Sequence, residues 1–93
     1  MEQNKIIKVS DLAKKVVKEY GCKSQLDIAQ ERCAKLIVAI SHYEHNCANS
    51  REEVREEVAE VAFVIYQLME IVRMSSDNLA NMIVEKCEKG GII

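Results

Sequence analysis

Proline and tryptophan are absent from this chain, and only three glycines and four aromatic residues occur among its 93 positions. Without proline, no helix is interrupted from within by a missing N–H donor, so long helices are expected. With so few rings, the core has to be built mainly from Ile, Val, Leu and Ala. The apolar runs fall well short of the roughly 18 residues that a membrane helix needs, and Ile6-Ile7 behind the polar start is too short for a signal sequence. No membrane partner is expected, and the chain reads as cytoplasmic. A charge field of one sign is missing too. The 13 Lys and Arg are interleaved with 15 acids for a net charge of −2, which leaves no basic patch for a nucleic-acid backbone. Cys22, Cys33, Cys47 and Cys87 show no C-x-x-C spacing and read as reduced thiols, with Cys33 acting as a small hydrophobe on an apolar helix face.

What is present is helical periodicity. Hydrophobic residues make up 48% of the chain, which argues against disorder, and they fall into four amphipathic segments. After a loose lead-in over residues 1–9, Ser10 caps a short first helix with Leu12, Val16 and Tyr20 on one side, stopping at Gly21. Ser24 and Asp27 resemble a capping box before a second helix running to about His45, with Leu26, Ala29, Cys33, Leu36, Ile37 and Ile40 at helical spacing. The polar connection 46–50 is short enough for antiparallel neighbours, and Ser50 with Glu53 repeats the capping pattern. A third helix carries Val54, Val58, Val61, Ile65, Leu68 and Val72 to roughly Arg73. Ser75 or Ser76 then opens a fourth, with Leu79, Met82, Ile83 and Cys87 inward and Gly90-Gly91 at its end. The expected fold is all-α: a single domain over 1–93, an up-and-down four-helix bundle with a short first helix, two long core helices and a C-terminal helix.

Each of the two long segments carries one charged pair set into its apolar run. Arg32 and Lys35 are three residues apart on the first, Glu57 and Glu60 on the second, and residues at that spacing share a helix face. If the two helices pack antiparallel, the pairs can face each other across a cleft. An Arg32/Lys35 to Glu57/Glu60 ion-pair network is the expectation. The alternative is that all four point to solvent, where each pair contributes about 0–1 kcal/mol.

The run from Tyr20 to about Lys89, with Glu31-Arg32-Cys33-Ala34-Lys35, Glu56-Glu57-Val58-Ala59-Glu60 and the Ser-Asp start of the last helix, resembles the MazG-like branch of the all-α NTP pyrophosphohydrolases over about three quarters of the chain. The family pattern is E-E-x-x-E on one helix and E-x-x-D on the next. The resemblance implies a Mg²⁺-dependent, oligomeric enzyme that hydrolyses nucleoside triphosphates to monophosphate and pyrophosphate. Carboxylates on facing helices suit that chemistry, because Mg²⁺ takes oxygen ligands and then bridges phosphate oxygens. In this chain Glu31 falls on the first Glu, Arg32 and Lys35 replace the second and third, Glu57 falls on the first acid of the second motif, and Glu60 replaces its Asp. Arg32, Lys35, Glu57 and Glu60 sum to zero charge where four carboxylates would carry −4, and Arg does not act as a metal ligand.

Two functional expectations follow. In the first, the chain is a catalytically impaired homologue, an oligomeric scaffold or nucleotide-binding module in which Arg32 and Lys35 hold phosphate oxygens in place of Mg²⁺. In the alternative it is an active NTP pyrophosphohydrolase whose rearranged Mg²⁺ site uses Glu31, Glu57 and Glu60, with Arg32 or Lys35 stabilising charge on the transferred group. The resemblance also implies a phosphate-contacting role for Lys86 and Lys89, which otherwise read as a solvated helix end. His42, Glu44, His45 and Cys47 cluster in sequence near the end of the second helix and hold ligand types for Zn²⁺ or Ni²⁺, but histidines there also suit the helix macrodipole.

A domain of this length buries only roughly 60–65% of its unfolded surface, and Leu36-Ile37-Val38-Ala39-Ile40 is apolar nearly all round its helix. A homo-oligomer, dimer or tetramer, is therefore expected, with this segment in the interface. Val38→Asp should lower the assembly state or the yield. Light scattering of the native chain tests the premise, and a monomer at micromolar concentration would refute it.

Overall fold

The computed structural model describes residues 2–93 and contains four α-helices: α1 (Glu2–Tyr20), α2 (Cys22–Glu44), α3 (Ser50–Val72) and α4 (Ser76–Lys89). The first helix is not short. From Glu2 on, the expected lead-in is already helical, because nothing between it and Gly21 breaks the hydrogen-bond ladder. Its inner row is also shifted by one position. Val9, Ala13, Val16 and Val17 turn inward, with Ala13 fully buried, while Leu12 and Tyr20 are exposed.

Gly21 alone joins α1 to α2. Its N–H donates to the Val17 carbonyl at 2.9 Å and its own carbonyl accepts from the Gln25 N–H at 3.3 Å. Its φ of 86° and ψ of 157° lie where glycine alone is comfortable. The helix therefore starts before Ser24, no capping box forms there, and Asp27 pairs instead with Lys23 at 2.8 Å. The next turn departs from expectation in the same way. Asn49 precedes the helix in a left-handed conformation without a side-chain cap, which places Ser50 inside α3 and buried, and Glu53 turns to His42. Among the described residues a capping box forms at α4: the Asn78 N–H donates to Ser75 Oγ at 3.1 Å and the Ser75 N–H donates to Asn78 Oδ1 at 3.0 Å.

α3 is the central helix, packing extensively on α2 and also on α1, while α1 touches α2 more sparingly. The antiparallel sense of α2 and α3 is visible in their side-chain pairs: His42 meets Glu53 near the turn and Arg32 meets Glu60 further from it. α4 stands apart. Among the described residues none of its Cα atoms comes within 8 Å of a Cα in α1, α2 or α3. The four-helix complement is present, but the packed unit within one chain is α1–α3.

The helix faces that pack are not the most apolar ones. On α2 the inward row is Gln25, Ile28, Ala29, Arg32, Leu36 and Ala39, with Ala39 at 0% exposure, whereas Leu26, Cys33, Ile37 and Ile40 look outward and Ile37 is 68% exposed. On α3 the inward row runs through Val54, Glu57, Val61, Val64 and Leu68, leaving Val58, Ile65 and Val72 outside. Small side chains explain the choice: Ala29 and Ala39 let the α2 backbone come close to α3, and Val64 fills the gap. Among the described residues no helix is long and apolar enough to cross a membrane.

The single-residue joint gives a direct test. A Cβ at Gly21 would meet nothing within 4 Å, so the cost of Gly21→Ala is purely conformational, about 1–3 kcal/mol. Urea unfolding should show that loss with an unchanged slope, and an unaltered midpoint would mean that the α1–α2 joint relaxes freely.

Candidate functional site

The α2–α3 seam brings the four charges of the two helical pairs to one place, with unequal partnerships. Arg32 projects from the inner edge of α2, and its Nη1 donates to Glu60 Oε2 at 2.7 Å. Both side chains are partly screened from water, at 33% and 44% exposure. Lys35 is drawn to its own helix, with Nζ 3.6 Å from Glu31 Oε1. That i, i+4 pairing is the expected geometry for a Glu placed one turn before a Lys. Glu31 is consequently engaged within α2 itself.

Glu57 is the exceptional member. One carboxyl oxygen, Oε1, is buried without a hydrogen-bond partner among the described residues. Its pKa is raised above the ordinary Glu value, first by desolvation and then by a side-chain hydrogen bond and charge repulsion with Glu60; Lys35 and Arg32 pull the other way. Arg32 neutralises Glu60 by direct contact, so the uncompensated cost of negative charge falls on Glu57. The cluster is one guanidinium–carboxylate pair with a second carboxyl beside it whose pKa is raised.

This donor set does not fit a Mg²⁺ ion. One carboxylate is engaged by a permanent cation and another is paired on its own helix, which leaves Glu57, among the described residues, as the one carboxyl of the cluster without a cationic partner, while Mg²⁺ requires several anionic or neutral oxygens at near-octahedral positions. Among the described residues no three His, Cys, Asp or Glu side chains converge as a metal site. The residues near the α2–α3 turn diverge similarly. His42 Nδ1 faces both oxygens of Glu53 at 2.9 and 3.0 Å, His45 Nδ1 donates to the Ser41 carbonyl at 2.7 Å, and Cys47 is exposed. Lys86 and Lys89 lie on α4, the latter 3.2 Å from Glu85 on the same helix.

Two buried glutamines were not legible as site residues. Gln25 is 2% and Gln67 4% exposed, and both line a cavity of about 350 Å³ between α1, α2 and α3 that also touches Phe63, Arg32 and Glu60. Gln67 Oε1 has no hydrogen-bond partner among the described residues. The one available hint was a lone amide inside Val64-Ile65-Tyr66-Gln67-Leu68-Met69, an otherwise apolar run. A larger cleft of about 820 Å³ opens beside α1 and the end of α3, with Lys14, Lys18, Tyr66 and Arg73 among its walls. No family model, no curated protein and no solved structure matches the chain.

The raised Glu57 pKa carries a pH signature. A group that binds its proton more tightly when folded contributes stability below its ordinary value of about 4.5, and that contribution is lost as pH rises through the folded value. Glu57→Gln, which removes the charge and keeps the shape, should raise the melting temperature at pH 7 and leave it unchanged near pH 4. Equal melting at pH 7 would show that attraction to Arg32 and Lys35 outweighs the desolvation of Glu57.

Proposed function

We propose that the chain is a MazG-like helical bundle without metal-dependent hydrolysis, acting as an oligomeric nucleotide-binding module or scaffold. The observation that carries this reading is the 2.7 Å contact between Arg32 and Glu60. It places a guanidinium on the carboxylate that the resemblance would give to the ion. A guanidinium stays charged and cannot coordinate metal, but its planar fork matches phosphate oxygens bidentately. In this reading Arg32 exchanges Glu60 for a phosphate, and Lys35, half exposed, adds a second positive charge.

The cavity beside Arg32 supports the same reading. Its walls combine an aromatic ring, Phe63, with the amides of Gln25 and Gln67, and a primary amide offers both a donor and an acceptor to a heterocyclic base. The outward apolar rows of α2 and α3 support the oligomeric part. An active enzyme using Glu31, Glu57 and Glu60 would need those carboxylates to converge. The Glu31–Lys35 pair works against it.

Calorimetric titration with a nucleoside triphosphate tests the proposal. Binding should be the same with and without Mg²⁺, no pyrophosphate should be released, and Arg32→Ala should weaken binding roughly 10–100-fold, the worth of one charge-assisted hydrogen bond. Arg32→Glu combined with Lys35→Glu should rebuild a four-carboxylate cage, lower the melting temperature through like-charge repulsion, and let Mg²⁺ or Mn²⁺ restore it. Mg²⁺-dependent pyrophosphate release by the native chain would overturn the proposal.

A further inference from the structure

The chain is too open to be a finished monomer. A folded monomer of 10.6 kDa exposes about 5,500 Å² by the usual scaling, whereas this chain exposes 7399 Å². Its radius of gyration is 15.2 Å, against about 12 Å for a compact chain of this length. The excess, roughly 1,900 Å², lies in the range that one subunit of an obligate dimer buries.

The excess has an identifiable location. Among the described residues no Cα of α4 comes within 8 Å of a Cα in another helix, yet α4 is amphipathic: Leu79, Met82, Ile83 and Cys87 fall on one face at helical spacing, and Ile83 is 52% exposed. The outer face of the α2–α3 pair is the complementary surface. Leu26, Cys33 and Ile40 follow one another at seven-residue steps on α2, as do Val58, Ile65 and Val72 on α3, and all six are exposed. Along α2 an apolar groove of about 540 Å³ runs past Leu26, Ala29, Cys33 and Ile37, with Leu68 of α3 on its far wall. From Leu26 to Ile37 it is about 17 Å long, and the 14 residues of α4 form a rod of about 21 Å.

From these observations we infer that two copies of the chain exchange α4, each seating it in the α2–α3 groove of the other. Only Arg73, Met74 and Ser75 separate α3 from α4, with Arg73 closing α3 in a left-handed conformation at φ 58°. Swapping an identical element closes a two-fold dimer with no new surface required. The inference rests on the oligomeric part of the proposed function and is independent of the charge cluster.

Ile83→Asp and Ile37→Asp test it, because both residues are exposed within their own chain, so neither change disturbs its packed core. Circular dichroism checks that each variant keeps its helices, and sedimentation equilibrium reads the assembly. The native chain should be a dimer, each variant should dissociate with self-association weakened about 100-fold or more, and mixing the two variants should recover dimers. Recovery is specific to exchange: the intact α4 of one variant meets the intact groove of the other. A native monomer, or two dissociated variants that mixing does not rescue, would overturn the inference. If Ile37→Asp dissociates the protein while Ile83→Asp leaves it dimeric, exchange is refuted and an oligomer through the α2–α3 face survives.

Discussion

The close approach of α2 to α3 is the constraint on which the rest of this structure depends. It is made possible by Ala29 and Ala39, whose small side chains are buried where the two helices meet. Choosing those alanines for the interior rotates α2 so that Gln25 and Arg32 turn inward with them, and rotates Ile37 and Ile40 out. The larger hydrophobes would bury more area per residue. The present arrangement keeps them in reserve for a second surface while the first is held by backbone proximity and Val64.

The same rotation creates the charged seam. Arg32 reaches Glu60 because its helix position falls on the inner edge of α2, and the pair is short because both groups are partly shielded from water. In that setting charge balance is settled locally. One cation satisfies one carboxylate directly, and the remaining carboxyl, Glu57, answers to desolvation and to its neighbour Glu60 by favouring its proton. A seam of this kind leaves a hard divalent cation few unengaged carboxylate oxygens.

The two glutamines beside the seam belong to the same economy of space. A buried amide without a partner costs stability, and Gln67 accepts that cost at the wall of a cavity large enough for a small molecule. The outward rows on α2 and α3 and the isolated α4 describe a second unsatisfied surface, apolar where the first is polar. The first of these lies inside the α1–α3 unit and the second on its outer face and on α4.

Local sequence was sufficient to define the helices. The absence of proline, the glycines at 21, 90 and 91, and apolar periodicity placed all four within a few residues, except the start of α1. A serine cap opening α4 was legible, though between Ser75 and Ser76 only the structure chose Ser75, and the boxes read at Ser24 and Ser50 did not form. The three-residue spacing of Arg32 with Lys35 and of Glu57 with Glu60 likewise identified which charges share a face. What sequence could not decide was which of two adjacent rows on each helix turns inward. Periodicity marks an apolar stripe without saying whether its partner lies in the same chain or in another copy, and the stripes it gave mixed inward positions (Ala29, Leu36, Val54, Val61, Leu68) with outward ones (Leu26, Cys33, Ile37, Ile40, Val58, Ile65, Val72). Only the packed structure resolved that choice, through the steric advantage of Ala29 and Ala39 at the seam. It also decided that Lys35 pairs with Glu31 and Arg32 with Glu60, because such partnerships depend on side-chain reach and desolvation at a three-dimensional junction.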